Sequence, residues 1–405
     1  MRIAEINMLS SGSTGNIMLN IAKCARGVGI DARTYSTHVF SKKYTKCPPA
    51  PTGHKYFGTY FENGLHFILT RITGCNGCFS YFGTQRLIDE LKEYKPDAIH
   101  LHNLHQFCFH LPSLFRYLKS SGTPVVWTLH DCWTFTGQCP HFLMAGCNKW
   151  KTGCHHCPQF REYPKSYMDQ TKRMYKLKKK WFCSIPNMTL VTPSQWLADL
   201  VKQSFLGEYP VRVINNGIDL HVFKPTPSDF RERYGLTGKR LILGVAYGWG
   251  PRKGLDIFID LSKRLDPEKY QIILVGTNDK TDKLLPPEII SIHRTQNQKE
   301  LAEIYTAADV FANPTREDNF PTVNIESLAC GTPVITFNSG GSPEIPDETC
   351  GLVVSCNDID TLYDEIVRVC ETKPFSEEAC LKRARSFDMN NKFMEYVRLC
   401  REEAL

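Results

Sequence analysis

Short apolar runs alternate with helical patterns along this chain, and the alternation occurs twice. The first series predicts strands at 3–9, 32–36, 97–101 and 125–129, a turn at 10–15, and helices at 16–27, 87–94 and 112–119. Strands that are separated by helices pair in parallel through crossover connections. The first half of the sequence therefore predicts a doubly wound α/β domain.

The second series begins after an apparent linker at 215–219. It predicts strands at 241–246, 271–275, 310–313 and 334–337, and helices at 254–265, 299–307 and 322–330. The closing segment, 376–405, has a helical pattern. We therefore predict an N-terminal Rossmann-like domain over 1–210, a second one over 211–380, and a C-terminal helix over 381–405 that packs back toward the first domain. Tandem domains of this kind are expected to bind ligands in a cleft at the carboxyl ends of their strands.

Composition excludes several classes of protein. The chain has 405 residues and a net charge of only +7, so nucleic acid is not an expected partner. Its start lacks the pattern of a secretory signal, and no apolar stretch is long enough to span a bilayer. These features predict a cytoplasmic protein. The 17 cysteines are then expected to be metal ligands or buried thiols, since disulfides are rare in reducing compartments.

Two acids flank the start of the predicted helix at 322–330. Asp318 lies in the preceding loop and Glu326 lies on the helix, whose start is marked by Pro321. Backbone N–H groups and the helix dipole favour a diphosphate at such a helix start, and a carboxylate can accept hydrogen bonds from the diol of a ribose. The alternative is a capped surface helix with solvated acids.

This region resembles the donor site of retaining GT-B glycosyltransferases of the group 1 family. The resemblance rests on the spacing of Asp318 and Glu326, on the sequences that follow at 329–334 and 340–344, and on the segments at 216–219 and 252–254. The segments at 100–103 and 128–133 are similar to those of colanic-acid and capsule-type members. The resemblance implies two facing Rossmann-like domains and transfer of a sugar from a nucleotide-sugar donor.

The resemblance also implies roles for individual donor-site residues. Glu326 would hold the ribose, while Asp318 or its neighbour Glu317 would lie near the donor sugar. Arg252 and Lys253 would neutralise the leaving diphosphate, so no catalytic metal is expected. The remaining donor-binding candidates follow Asp318 directly and are Asn319, Phe320, Pro321 and Thr322.

Two further candidates come from the first domain. His130 follows a predicted strand at its carboxyl end, where the family places a histidine beside the donor sugar; it is interpreted as a catalytic residue that contacts a sugar hydroxyl, not as a nucleophile. Gly15 ends a small-residue loop that in the family lines the cleft. The alternatives are a structural histidine and a plain tight turn.

Cysteines cluster just after His130, between positions 132 and 157. Cys154 and Cys157 form a C-x2-C pair, and Cys139 and Cys147 complete a four-thiolate set suited to structural zinc. A second C-x2-C pair, Cys75 and Cys78, offers a different combination. Buried thiols without a metal are the remaining interpretation.

Six cations between Lys172 and Lys180 are interleaved with apolar residues and followed by Trp181 and Phe182. This pattern is that of a basic amphipathic helix on an anionic membrane surface, or of a solvated basic face. Asp358 and Asp360 spell a D-x-D sequence that helix capping explains.

Together these features predict a glycosyltransferase that moves a sugar from a nucleotide-sugar donor to a glycan, with a lipid-linked polysaccharide intermediate as the expected acceptor. The predicted location is cytoplasmic, at the inner face of the membrane if the basic segment binds lipid. The alternative is a non-catalytic zinc-containing protein that binds glycans or polyanions.

Overall fold

The computed structural model describes residues 1–38, 51–105 and 107–405. These residues form two compact units. The first comprises Met1–Ile214 with Phe393–Leu405, and the second comprises Asn215–Lys392. Each unit is built around its own parallel sheet.

Within the described residues the first unit has a seven-stranded parallel sheet in the order β3-β2-β1-β4-β5-β6-β7. Its strands are β1 Arg2–Ile6, β2 Asp31–Ser36, β3 His54–Tyr56, β4 Ala98–Leu101, β5 Val125–Thr128, β6 Met188–Thr192 and β7 Val211–Val213. Its helices are α1 Gly12–Gly27, α2 Tyr60–Thr73, α3 Tyr81–Tyr94, α4 Leu111–Ser121, α5 Thr171–Phe182 and α6 Gln195–Lys202. Central strands such as β4 and β5 are buried throughout, which explains why three of the four residues in each are apolar.

The described residues of the second unit form a six-stranded parallel sheet in the order β10-β9-β8-β11-β12-β13. Its strands are β8 Arg240–Val245, β9 Tyr270–Val275, β10 Ile289–Ile292, β11 Val310–Asn313, β12 Val334–Phe337 and β13 Gly351–Val354. Its helices are α7 Phe230–Arg233, α8 Leu255–Arg264, α9 Asp279–Asp282, α10 Gln298–Ala307, α11 Thr322–Ala329, α12 Ile359–Thr372 and α13 Glu377–Arg385. The two doubly wound parallel-sheet domains that the sequence predicts are thus confirmed.

Several predicted boundaries differ from the structure. The first strand ends at Ile6, and α1 begins at Gly12, so Gly15 lies in the first helical turn and not in a loop. A Cβ at Gly15 would stand 2.7 Å from the backbone carbon of Ser10, which accounts for the glycine by close backbone approach. The closing segment is two helices, α13 and α14 Met389–Glu403, and Phe393–Leu405 groups with the first unit.

The segment at 215–219 is not a free linker. The N–H of Ile218 donates to the carbonyl of Phe387, and the N–H of Met389 donates to the carbonyl of Ile218. Gly217 allows this pairing, because a Cβ there would stand 2.5 Å from the Cα of Met389. Asp358 accepts a hydrogen bond from the N–H of Thr361, as expected of a helix cap.

Helix α5 uses its apolar side chains inside the first unit. Met174, Tyr175 and Phe182 are buried, so this helix presents mainly its cations on the surface of the unit. Binding of the basic segment to an anionic bilayer stays a prediction. Lys178 is also buried: its Nζ donates to the carbonyl oxygens of Trp133 at 2.5 Å and Thr136 at 3.1 Å. Burial lowers the pKa of Lys178 to about 7. In the described part of the chain, no helix has both the length and the apolar character needed to cross a bilayer.

We expect the substitution Lys178→Met to lower the midpoint of thermal unfolding by roughly 5 °C, because two buried carbonyl groups lose their donor. The matched substitution Lys179→Met, on the exposed side of the same helix, should leave the midpoint within about 1 °C. Equal midpoints for the two variants in circular dichroism melts would contradict a structural role for Lys178.

Candidate functional site

Two loops meet at the carboxyl ends of neighbouring strands in the second unit. One follows β8 and contains Arg252 and Lys253; the other follows β11 and runs to Pro321. The N–H of Arg316 donates to the carbonyl of Arg252 at 2.9 Å, and the guanidinium of Arg252 donates to the carbonyl of Glu317 at 3.1 Å. These hydrogen bonds fix the position of one loop relative to the other.

Lys253 and Asp318 form an ion pair between these loops. Both side chains keep about a fifth of their surface exposed, whereas Glu317 is almost fully buried. Of the two acids that the sequence left open, Asp318 is therefore the one that a ligand can reach. The structure brings together two predicted site residues that are 65 positions apart.

The two glycines at 340 and 341 hold the backbone at Asp318. A Cβ at Gly340 would stand 1.7 Å from the carbonyl oxygen of Asp318, and Gly340 has a φ of +58°. The N–H of Gly341 donates to the same oxygen at 3.1 Å. Only glycine permits this approach, which gives a physical reason for the glycine at position 340.

Glu326 lies on α11, one turn from its start, and is partly buried. The hydroxyl of Tyr305 on α10 donates to its Oε2 at 3.1 Å. Burial raises the pKa of Glu326 to about 7, although hydrogen bonds from Tyr305 and Thr322 favour the ionised form. Among the other donor-site candidates, Asn319, Phe320 and Pro321 are buried and Thr322 is the first residue of α11.

The first unit contains a chain of buried polar groups that ends at His130. Glu5 on β1 lies 2.9 Å from Nε2 of His102, and Nδ1 of His102 lies 3.1 Å from Nε2 of His130. His100, opposite Glu5 in the register of β1 and β4, places its Nδ1 2.9 Å from the same carboxylate. His130 follows β5, at the carboxyl end of the strand, where the sequence places it.

The protonation states of Glu5, His102 and His130 depend on one another. Burial lowers the pKa of His102 to about 3 and of His130 to about 4, so both rings are neutral at neutral pH. Burial also raises the pKa of Glu5. A neutral imidazole has one N–H, so the state of Glu5 decides which nitrogen of His102 carries it and hence which nitrogen of His130 does.

The four candidate zinc ligands line one pocket. Cys139, Cys147, Cys154 and Cys157 line this pocket together with Trp150 and other residues. The N–H of Gly137 donates to Sγ of Cys154 at 3.1 Å, as is common for a thiolate ligand. The sulfurs are spread around the pocket: no three of them come within 4.8 Å of one another in the described structure.

Two other clusters bring potential metal ligands within 4.8 Å of one another. They are Glu5, His100 and His102, which are fully buried, and Asp279, Asp282 and His293, which are largely exposed. In the second cluster Asp282 already accepts hydrogen bonds from Ser291 and His293. In the first cluster Nε2 of His102 lies within hydrogen-bond distance of Glu5, whereas Oε1 of Glu5 and Nδ1 of His100 have no hydrogen-bond partner among the described residues.

Sequence reasoning missed two partners of the predicted residues. Glu5 is an acid within an apolar strand, and its partners are about a hundred positions away. Tyr305 looks like an ordinary core residue of α10. An isolated Glu inside a buried strand is nevertheless a usable signal, because buried acids require partners.

A cation and an accessible acid at strand ends, beside a helix start and a second acid, can hold a negatively charged, sugar-bearing ligand. Residues 239–372 match the profile of "Glycosyl transferases group 1", and residues 29–222 match that of "Glycosyltransferase Family 4". Over these two ranges the chain is similar to group 1 and family 4 glycosyltransferases. These similarities lend no support to the alternative of a non-catalytic zinc-containing protein.

Among its relatives is WcaC of Escherichia coli (strain K12), named as a colanic acid biosynthesis glycosyl transferase. The two are 28% identical over 272 residues, which is 64% of each chain. A D-inositol 3-phosphate glycosyltransferase of Mycolicibacterium smegmatis is 29% identical over 187 residues, 43% of this chain and 42% of that protein. The chain thus matches less than two thirds of the length of these curated relatives.

Solved structures share the fold over nearly the whole chain. Sucrose-phosphate synthase from Thermosynechococcus elongatus superposes with a TM-score of 0.72 at 16% identity, covering 99% of this chain and 98% of that one. Anabaena Alr3699/HepE, solved in complex with UDP, superposes with a TM-score of 0.66 at 15% identity, covering 99% and 100%.

We expect the imidazoles of His102 and His130 to stay neutral from pH 8 down to pH 5, since burial holds the pKa of each at or below about 4. Nitrogen-15 chemical shifts of labelled histidine should show this. His293, whose pKa the hydrogen bond with Asp282 raises, serves as the internal control and should be protonated at pH 5. Protonation of His130 above pH 6 would contradict the buried chain.

Proposed function

We propose that the protein transfers a sugar from a nucleotide-sugar donor to a glycan acceptor, and that the second unit binds the donor. The observation that carries this proposal is the ion pair of Lys253 and Asp318 at the ends of β8 and β11, with Glu326 on the adjacent helix. The UDP complex of the neighbour Alr3699/HepE supports a nucleotide donor.

In this proposal each charged group of the donor site contacts a different part of the donor. Lys253 leaves Asp318 for the donor diphosphate and, with Arg252 and the N-terminus of α11, stabilises the charge that develops on the leaving group. Asp318 then faces the sugar. Glu326, kept in place by Tyr305, accepts hydrogen bonds from the ribose hydroxyls.

His130 is proposed as the partner of a sugar hydroxyl, with its N–H position set by Glu5 through His102. A neutral ring suits this role, because it can hydrogen-bond a hydroxyl without placing a second positive charge in the site. We propose that the acceptor hydroxyl attacks from the face that the diphosphate leaves, which retains the anomeric configuration.

The acceptor proposal rests on WcaC, which is named for colanic acid biosynthesis. Assembly of such a polymer requires transfer to a growing glycan. We therefore propose a polysaccharide intermediate, carried on a lipid, as the acceptor.

We expect Glu326→Gln to weaken the affinity for UDP or GDP by roughly tenfold to a hundredfold, because charge-assisted hydrogen bonds to the ribose are lost. Asp318→Asn should mainly reduce turnover. Calorimetric titration with each nucleotide and steady-state assays with donor mixtures separate the two effects. Glu303→Gln, on α10 outside the site, is the matched control. Unchanged affinity in Glu326→Gln and unchanged turnover in Asp318→Asn would reject the assignment.

We also propose that the cysteine pocket takes one structural zinc ion, which draws the four sulfurs together. Thiolates are the preferred ligands of structural zinc, and the site plays no part in the transfer reaction.

Protein purified without chelator should then contain about one zinc per chain by mass spectrometry of the metal, and its removal should lower the thermal unfolding midpoint. Cys157→Ser should lose the metal, whereas Cys183→Ser, outside the pocket, should retain it. Metal-free protein with an unchanged midpoint would show that these cysteines are simple thiols.

A further inference from the structure

Helix α2 has an inverted distribution of polar and apolar side chains. Its exposed residues are Phe61, Leu65, Ile68 and Ile72, with exposed fractions of 82%, 47%, 53% and 52%. All of its exposed positions are therefore large and apolar. Their spacing of four, three and four residues places them on one face of the helix, which we call the α2 face.

The buried side of the same helix is polar. Its buried residues are Asn63, Gly64, His66 and Thr70. Nδ2 of Asn63 donates to Oγ1 of Thr37 at 2.6 Å, and Nδ1 of His66 lies 2.7 Å from Oγ of Ser80. A helix of a protein surrounded only by water has the opposite arrangement, so the α2 face points to an apolar partner.

The apolar surface continues beyond both ends of the helix. Glu62 accepts hydrogen bonds from the N–H of Gly83 and the guanidinium of Arg86, which places the first turn of α3 beside the first turn of α2. That turn exposes Tyr81 and Phe82, the latter by 71%.

At the other end, the N–H of Tyr167 donates to the carbonyl of Arg71 at 2.8 Å. Tyr167 and Met168 are both more than half exposed. The apolar surface thus extends along the full length of α2, about 20 Å for its 14 residues.

Cations border this end of the surface. Lys165, Lys172 and Arg173 are exposed. Arg173 lies close to the cysteines that follow α2: the hydrogen bond from Cys78 and, more weakly, the charge of Arg173 lower the pKa of Cys75. An apolar stripe bordered by cations matches the boundary between acyl chains and anionic headgroups.

We propose that the α2 face docks on an anionic lipid bilayer, with Phe61, Leu65, Ile68 and Ile72 in the acyl region and the cations at the start of α5 among the headgroups. The basic helix of the sequence thus contributes charge, while α2 contributes the apolar contact. The proposal does not depend on the donor chemistry, and binding to vesicles is measured without turnover.

The test is flotation of the purified full-length chain with vesicles of phosphatidylcholine alone or with 30% phosphatidylglycerol. The chain should float with the anionic vesicles. Leu65→Gln with Ile68→Gln should reduce the partition coefficient about tenfold or more, since two apolar side chains no longer enter the bilayer. The matched control, Val28→Gln with Leu284→Gln, changes two similarly exposed apolar residues elsewhere and should have no effect.

Lys172→Gln with Arg173→Gln should weaken binding at low salt and have little effect at 0.5 M salt, where exposed charges are screened. Lys263→Gln with Lys299→Gln controls for net charge.

Failure of the wild-type chain to bind anionic vesicles, or equal losses in the α2 and control variants, would overturn the proposal. So would a dimer in solution that the Leu65 and Ile68 substitutions dissociate, because a second copy would then cover the face. UDP affinity measured on the same variants should be unchanged, so failure of membrane binding is distinguishable from failure of the donor site.

Discussion

The carbonyl oxygen of Asp318 is the point on which the proposed donor site of the second unit depends. It accepts from Gly341 and leaves no room for a side chain at Gly340, while the Asp318 carboxylate pairs with Lys253. The segments after β8, β11 and β12 are therefore fixed relative to one another by backbone hydrogen bonds and by this ion pair. A site for a highly charged donor needs such fixed dipoles, because groups that are already oriented need not reorganise when charge develops.

The first unit depends on a different constraint, the accommodation of polar groups within its interior. Glu5, His100 and His102 are completely buried, and each has a partner within 3 Å among the others. Helix α2 likewise directs Asn63 and His66 inward. Buried polar groups cost free energy unless they are hydrogen-bonded, so the hydrogen bonds of His102 with Glu5, of Asn63 with Thr37 and of His66 with Ser80 favour the packing that brings these partners together. In our proposals the network of Glu5 and His102 orients His130. The inward polar residues of α2 place the apolar residues of that helix on the surface.

The sequence predicted the strands and helices well where the pattern was repeated and the strands were buried, as for β8, β11 and α11. The prediction was less accurate where the environment of a residue in the fold differs from the one that its sequence neighbours indicate. Lys178 lies in a run of surface cations but is buried beneath Trp133, because only the tertiary fold supplies its carbonyl partners. No element was predicted for the stretch that contains α2, and an outward-facing apolar surface could not be predicted from its sequence pattern. Asp318 and Lys253 could be predicted because a motif marks each, whereas Tyr305 and Glu5 could not, because their roles arise from contacts across the fold.

We propose that Glu326 binds the donor ribose as a carboxylate, and the pH dependence of nucleotide affinity tests this proposal most directly. Burial raises the pKa of Glu326 to about 7, so the carboxylate is mostly protonated at pH 6 and mostly ionised at pH 8. The dissociation constant of UDP or GDP, whichever binds, should be about tenfold larger at pH 6 than at pH 8 if only the ionised form binds. The same titration on Glu326→Gln corrects for the ionisation of the nucleotide itself. A steeper dependence in the wild type than in the variant is the predicted result, and identical pH profiles for the two proteins would contradict the account.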